Sequence, residues 1–236
     1  GSEVTITSQT MGDALILSNS NTDRGDIYVE DLTIVGSSDD GIVLRNVSAE
    51  FPTLRVDDAN DNGVEAVSSD LTVSDATISA NGCAGISGQG VDAQSLTSGS
   101  GGVSTQASDS FTDAGATFSS AGVLPGDRIL ISTLRSCPFV VSEVSDENTL
   151  VLTEDLPSSS ANLSYTVMTA GSGAVSTTVT IDGLVSTDNI YGVYLDSVTA
   201  DLSDLSGSDT WQTSCGASVT ATCSNTTGPD YGCCPL

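Results

Sequence analysis

The stretch that decides the fold reads, in successive blocks, DLTIVGSSDDGIVLRNVSAEFP (residues 31–52), TLRVDDANDNGVEAVSSDLTVS (53–74) and DATISANGCAGISGQGVDAQSL (75–96). These blocks are three copies of one 22-residue pattern, in which Gly41, Gly63 and Gly85 occupy the same slot. A fixed period of about this length is the sequence signature of a repeat architecture, in which each copy stacks on the next.

Apolar and polar residues alternate on both sides of the shared glycine. Leu32 and Ile34 precede it in the first block, and Ile42 and Leu44 follow it. Alternation predicts strands with one face turned inward. The Asp/Asn/Ser-rich run that ends in the glycine predicts a turn between the strands, because Gly and Asn tolerate positive φ.

Two further copies lie outside this stretch. DGLVSTDNIYGVYLDSVTADLS starts at Asp182 and puts Gly192 in the shared slot, and a looser copy, VTITSQTMGDALILSNS, starts at Val4. Placing Gly12 in the slot of the looser copy leaves an excess of seven residues before the regular repeats. We expect Arg24-Gly25-Asp26 to form an exposed loop in this excess, with integrin-type recognition as one interpretation of the tripeptide.

Short strands repeated every 22 residues, with no helical segment between them, favour a solenoid in which successive coils lie about 4.8 Å apart. The pattern resembles the right-handed parallel β-helix repeat over residues 3–97 and 174–208. That family includes pectin-degrading enzymes, other polysaccharide lyases and hydrolases, phage tailspikes and bacterial surface proteins. The resemblance implies an all-β fold and leaves the function open.

The sequence divides into four parts. The β-helix occupies residues 1–97 and resumes over 174–208, a small antiparallel β module is inserted at 98–173, and a Cys-rich cap covers 209–236. The Ser/Gly-rich stretch Leu96–Gly102 has the composition of a linker, and the segment after it contains four to six strand patterns.

Charge is the most unusual feature of the composition. The chain has 31 acidic residues against five basic ones, a net charge of −26, and neither Lys nor His. Nucleic-acid binding is excluded as a function class, because almost nothing can neutralise phosphates. The sequence has no long apolar run, so we expect no membrane insertion.

The cysteine pattern predicts an oxidising compartment. A mixed Cys/His zinc site is impossible without His, and no C-x-x-C pair exists, so we expect disulfides and an extracellular or cell-surface location. Sequons at Asn46, Asn162 and Asn225 are compatible with export. The candidate disulfide residues are Cys83, Cys137, Cys215, Cys223, Cys233 and Cys234.

One acidic constellation suggests catalysis. Polygalacturonases are β-helices that carry an N-T-D triplet and then a G-x-D-D-type element, so the resemblance implies Asp23, Asp39 and Asp40 as an acid/base set. This chain lacks the His and Lys that the family also uses. The alternative is that these residues are solvated turn carboxylates. A lyase is disfavoured because the anionic surface repels a polyuronate.

Carboxylates also suggest a cation site. We predict that Asp39, Asp40, Asp57, Asp58 and Asp61 fall in corresponding turns one coil apart, where their oxygens could bind Ca²⁺. Solvated turns in a salt-adapted protein are the competing interpretation.

The function that we expect is that of an extracellular structural or adhesive protein without catalysis. Strand pattern begins by Val4 without a capping helix, so we expect either that upstream sequence was trimmed away or that this edge pairs with another copy, head to tail, and generates a filament. The alternatives are a carbohydrate-active β-helix enzyme and a module that binds a surface glycan or receptor through the inserted domain.

Overall fold

We analysed a computed structural model of the chain. It describes residues 4–7, 12–20, 23–90, 94–135, 137–169, 177–215, 219–227 and 230–231. These residues form β-strands, turns and bends without any helix, which confirms the all-β prediction. The chain divides into two compact units: residues 1–92 with 172–236, and residues 93–171.

The strands of the first unit have the following bounds: β1 (Val4–Thr7), β2 (Leu15–Ser18), β3 (Gly25–Tyr28), β4 (Asp31–Ser37), β5 (Ile42–Arg45), β6 (Val47–Phe51), β7 (Thr53–Ala59), β8 (Val64–Val67), β9 (Asp70–Val73), β10 (Ala76–Ser79), β11 (Ala84–Gln89), β18 (Thr177–Thr187), β19 (Tyr191–Asp196), β20 (Val198–Gly207), β21 (Trp211–Cys215), β22 (Thr220–Ser224) and β23 (Asp230–Tyr231). Those of the second unit are β12 (Ser95–Ser104), β13 (Ser110–Thr112), β14 (Arg128–Leu130), β15 (Phe139–Asp146), β16 (Thr149–Leu152) and β17 (Ser160–Met168).

The first unit consists of two parallel sheets. One contains seven strands in the order β2-β5-β8-β11-β19-β21-β23. The other contains ten, with β1-β4-β7-β10-β18-β9-β6-β3 as its path and β20 and β22 added beside β18. Strands β4, β5 and β6 pair with β7, β8 and β9, their counterparts in the next repeat. The 22-residue period of the sequence therefore sets the register of the sheets.

The long strand β18 pairs with two different sets of strands in the ten-stranded sheet. Residues 178–181 pair with β9, and residues 184–187 pair with β10. Gly183 separates the two halves and has φ +88°. Asp204 and Asn225 repeat this conformation at intervals of 21 residues. In these later repeats, residues with positive φ therefore mark the corner at which the chain passes from one set of strands to the other.

Side chains of the same kind stack inside the first unit. Leu32, Leu54, Ala76 and Leu184 are register partners in successive repeats, and all are buried. Together with the equivalent ladders on the other strands they form one apolar core. The alternation found in the sequence correctly predicts which side chains face inward.

The repeated glycine has a different role from the one predicted. Gly41, Gly63 and Gly85 are not among the residues with positive φ. A β-carbon on Gly63 would instead lie 2.7 Å from the carbonyl oxygen of Gly85, and one on Gly85 would lie 2.7 Å from that of Gly192. The slot requires glycine because successive repeats approach too closely there for a side chain.

The second unit is a closed antiparallel barrel of six strands, β12-β13-β16-β15-β14-β17, which agrees with the predicted antiparallel module. The assignment of Leu96–Gly102 to a linker was wrong, because this stretch belongs to strand β12. Its glycines make room for aromatic side chains. A β-carbon on Gly99 would lie 2.5 Å from the hydroxyl of Tyr165, and one on Gly102 would lie 2.4 Å from the Phe111 ring.

Two polar arrangements lie in the barrel. The Tyr165 hydroxyl donates to Asp113 at 2.9 Å, and both residues are buried. Arg135 makes a partly buried bidentate ion pair with Glu154 at 2.7 and 2.8 Å, and its guanidinium carbon lies 3.6 Å from the centre of the Phe139 ring.

The ends of the first unit differ from expectation. Strands β21, β22 and β23 continue both parallel sheets beyond residue 208, where the sequence analysis placed the end of the repeats. In the first repeat, Leu15 pairs with Ile42, so Ala14 rather than Gly12 takes the glycine slot. The expected Arg24-Gly25-Asp26 loop is wrong as well, because Gly25 and Asp26 belong to strand β3 and Arg24 forms an ion pair with Asp70.

Candidate functional site

Five carboxylates gather where successive repeats turn from one parallel sheet to the other. They come from three repeats: Asp13 before β2, Asp39 and Asp40 between β4 and β5, Asp61 between β7 and β8, and Glu65 in β8. We call this group the acidic edge. Carboxylate oxygens of Asp13, Asp39 and Asp40 all lie within 4.8 Å of one another.

Asp40 is the buried member of the acidic edge. Its Oδ1 accepts hydrogen bonds from the backbone and side-chain amides of Asn62, both at 2.9 Å. Its own backbone N–H donates to Oδ1 of Asp13 at 3.2 Å. Burial, followed by the charges of Glu65 and Asp61, raises the pKa of Asp40 to about 8 despite these hydrogen bonds.

Asp61 occupies the turn that corresponds to Asp39 in the next repeat. Its backbone N–H donates to the Asp39 carbonyl at 3.2 Å, and its Oδ1 is buried without a hydrogen-bond partner among the described residues. Burial raises the pKa of Asp61 to about 7, and the charges of Glu65, Asp39 and Asp13 contribute. Partial burial and the charge of Asp13 also raise the pKa of Asp39.

Glu65 is the member of the acidic edge that forms an ion pair with an arginine. Arg45 lies 3.3 Å from its Oε2, and the Gln89 amide donates to its Oε1 at 3.1 Å. The Arg45 guanidinium therefore offsets the charge of Glu65, one of the five carboxylates in this group. Their charges can be relieved by sharing protons or by binding a cation.

Asp23 does not join this group. It is exposed before strand β3, where its carbonyl accepts a hydrogen bond from the Asn19 amide at 2.7 Å. The described carboxylates that could hold an ion together are Asp13, Asp39 and Asp40. The structure thus brings Asp39 and Asp40 together with Asp13 rather than with Asp23.

The predicted alignment of Asp57 and Asp58 with the acidic turns was wrong. Asp57 lies in strand β7 opposite Val35, and its carboxylate accepts from the Ser79 hydroxyl at 2.6 Å. Asp58 is an exposed residue with φ +61° at the end of that strand. The register of the sheets places only Asp61, of the three later carboxylates, beside the Asp39–Asp40 turn.

Two sets of buried polar side chains link the repeats, and the Asn62–Asp40 pair is the first. In the second, Asn81 donates to Oδ1 of Asn189 through both its backbone and side-chain nitrogens at 2.9 Å. Asn189 donates in the same way to Oδ1 of Asp209. We call the two sets together, Asp40, Asn62, Asn81, Asn189 and Asp209, the amide ladder. Burial raises the pKa of Asp209, and its Oδ2 has no hydrogen-bond partner among the described residues.

The described cysteines are oxidised. Cys83, Cys137, Cys215 and Cys223 all form disulfides. The described part of the chain contains no free cysteine. Cys233 and Cys234 lie outside the described residues.

Sequence reasoning missed Asp13 and Glu65. Asp13 precedes Ala14, which occupies the glycine slot of the first repeat, and a search for glycine alone misaligns that repeat by two residues. Glu65 was hidden because it follows the second glycine slot by two residues and occupies a strand position. Aligning the apolar residues Leu15, Ile42 and Val64 instead of the glycines reveals both.

No protein-family model matches the sequence, and a search of curated proteins finds no significant relative. Among the described residues, no helix has the length and apolar character that a membrane crossing requires.

Proposed function

We propose that this chain is an extracellular structural or adhesive surface protein, built on a right-handed parallel β-helix and able to associate end to end. The observation that carries the proposal is that its buried polar side chains form hydrogen bonds between repeats. The amide ladder commits Asn62, Asn81 and Asn189 to hydrogen bonds with neighbouring repeats. A scaffold that must keep its repeats in register needs such bonds, because each repeat contacts only its neighbours.

The position of Asp40 favours a structural role over an acid/base role. An acid/base pair that cleaves a glycosidic bond must reach the sugar from a cleft. Asp40 is instead 7% exposed, and its Oδ1 is occupied by two hydrogen bonds from Asn62. Asp23, the other half of the expected pair, lies outside the acidic edge.

The register of the sheets and the chirality of the chain support the proposed right-handed β-helix. Strands β5, β8 and β11 of successive repeats lie side by side and parallel in the seven-stranded sheet, so the chain returns to this sheet through crossover connections. Such connections are right-handed in about 98% of cases, because L-residues twist strands in one sense. In a β-helix of this kind, the two sets of strands that meet at Gly183 are two faces of one coil.

The first repeat supplies the proposed contact surface for a second copy. In the described residues, β1, β2 and β3 lie at one end of the parallel sheets, and β22 and β23 lie at the other. The inward side chains of the first three strands, Ile6, Leu15, Leu17 and Ile27, pack on the core but are only partly buried. A terminal strand has unpaired backbone groups that favour pairing with another chain.

Two measurements on the full chain test this function. Immunogold labelling of intact source cells should place the chain outside the cell, and labelling confined to the cytosol would contradict the proposal. Purified protein should release neither reducing nor unsaturated ends from pectin and alginate. Turnover of either polymer would favour the carbohydrate-active alternative.

A second role, Ca²⁺ binding by the acidic edge, is favoured by one specific arrangement. Oxygens of three carboxylates lie within 4.8 Å of one another, and hard oxygen ligands of this kind suit Ca²⁺. The raised pKa values of Asp39, Asp40 and Asp61 mean that protons compete with the cation near neutral pH. Calorimetric titration of the full chain with CaCl₂ at pH 8 tests this role, and the absence of binding heat would exclude it.

A further inference from the structure

We propose that Asn162 is a site of N-linked glycosylation and that Asn46 is not. The inference rests on the proposed extracellular function, since the modification requires passage through a secretory compartment. All three sequons of the chain, at Asn46, Asn162 and Asn225, have the residue types that the reaction needs. The structure gives them different surroundings.

Asn162 lies at a β-bulge in the barrel. In the pairing of β12 with β17, Gly102 and Val103 are adjacent, whereas their partners Leu163 and Ala161 are separated by Asn162. The extra residue adopts φ +56°. A bulge leaves one residue without a ladder partner and redirects its side chain.

The side chain of Asn162 is available for modification. The residue is exposed, and its amide makes no hydrogen bond with the described part of the chain. Ser164, the hydroxyl residue of the sequon, is also exposed, while Leu163 between them is buried in the barrel core. The acceptor amide of Asn162 and the hydroxyl of Ser164 therefore lie at the surface, on either side of the buried Leu163.

Asn46 has the opposite surroundings. It is only partly exposed, and its side-chain nitrogen donates to the carbonyl of Asn19 in the preceding repeat at 3.0 Å. A sugar on this nitrogen would have to fit between two stacked repeats. Asn225 is exposed, but its side-chain nitrogen donates to the carboxylate of Asp204 at 3.1 Å.

The reaction needs a lipid-pyrophosphate-linked oligosaccharide as the donor. The Asn162 side-chain nitrogen forms a bond to the anomeric carbon of the first sugar, and the bond from that carbon to the pyrophosphate oxygen breaks. The lipid pyrophosphate leaves with the electron pair, and one amide proton passes to solvent. The product is a neutral, solvated glycan on a surface that otherwise carries many carboxylates.

The test is secretion of the full chain from a eukaryotic host, followed first by Asp-N digestion and then by enzymatic release of N-glycans in ¹⁸O water. The three sequons fall in separate Asp-N peptides, 40–56, 155–181 and 209–229. We expect the ¹⁸O mark of a released glycan in peptide 155–181 and none in peptide 40–56. An unmarked peptide 155–181 in secreted protein, or a mark in peptide 40–56, would overturn the inference.

Matched variants separate modification from folding. Ser164→Ala keeps Asn162 and removes the sequon, so it should lose the mass of one glycan and keep the circular dichroism spectrum. Ser164→Thr keeps the sequon and should keep the glycan. Detection of the chain only in the cytosol of its source would contradict the proposed function instead, whereas extracellular native chain with an unmodified Asn162 would contradict this inference alone.

Discussion

A β-carbon on Gly41 would lie 2.6 Å from the carbonyl oxygen of Gly63, one repeat along the chain. The same close approach recurs between Gly63 and Gly85 and between Gly85 and Gly192. The regular spacing of these glycines in the sequence therefore reflects close backbone contact between repeats. The contact depends on the absence of a side chain and not on unusual backbone angles.

We expect Gly63→Ala to destabilise the first unit by about 2 kcal/mol or more, because inserting a methyl group into a packed site forces the backbone to shift. The new β-carbon would meet the Gly85 carbonyl at 2.7 Å and Ile78 at 2.8 Å. Urea denaturation followed by circular dichroism measures the loss. Gly25→Ala is the control, since its β-carbon would first meet the Asn19 side chain at 3.4 Å. Equal stabilities of the two variants would contradict the role of the slot.

Stability should fall as pH rises from about 4 to about 8. In this range the Asp40 carboxyl stays protonated in the folded state, where its pKa is about 8, but is ionised in the unfolded chain, where its pKa is near 3.8. Folding then retains a proton, so the free energy of unfolding decreases with pH. The expected decrease is on the order of 3 kcal/mol, because the protons are shared among coupled carboxyls. Urea denaturation at pH 5 and pH 8 measures it.

Asp40→Asn should remove much of this pH dependence. Asparagine keeps the oxygen that accepts from Asn62 and cannot ionise. Asp58→Asn is the matched control, because Asp58 is exposed and asparagine tolerates its positive φ. A pH dependence that survives Asp40→Asn unchanged would show that other groups cause it.

We expect Asn189→Ala to cost about 3 kcal/mol of unfolding free energy. The change removes the acceptor for Asn81 and the donors to Asp209, and it leaves buried polar groups without partners. Thermal denaturation of the full chain measures the effect. Thr199→Ala, on an exposed strand position, should change stability by less than about 0.5 kcal/mol. A similarly small effect of Asn189→Ala would argue against the amide ladder.

If Ca²⁺ binds the acidic edge, millimolar CaCl₂ should raise the melting temperature at pH 8 more than at pH 5, because protons compete for the same oxygens. Asp39→Asn should reduce the increase by removing one ligand, and Asp58→Asn should leave it unchanged. Differential scanning calorimetry provides the readout. An increase that does not depend on Asp39 would indicate general screening of the net charge of −26.

The sequence predicts much of the parallel part of this fold. Alternating apolar residues identify the inward faces of β4, β5 and their counterparts, because a residue on the wrong face would expose the core. The four to six strand patterns predicted for the inserted segment agree with the six strands of the barrel. Local patterning is sufficient in both cases.

Composition was misleading where packing determines the structure. The Ser/Gly-rich stretch that includes Gly99 and Gly102 resembles a linker, but it is a strand whose glycines accommodate Tyr165 and Phe111. At the candidate site, sequence spacing found Asp39, Asp40 and Asp61 but could not place Asp13. An irregular first repeat shifts the register, and only pairing between strands reveals the shift.

The measurement that tests the central claim most directly is electron microscopy of the full chain in saline buffer, combined with light scattering after size exclusion. High salt is required because a net charge of −26 opposes association at low ionic strength. The account predicts ordered filaments with a spacing of about 4.8 Å between stacked strands along the axis. Compact monomers at every salt concentration would contradict end-to-end assembly of this protein.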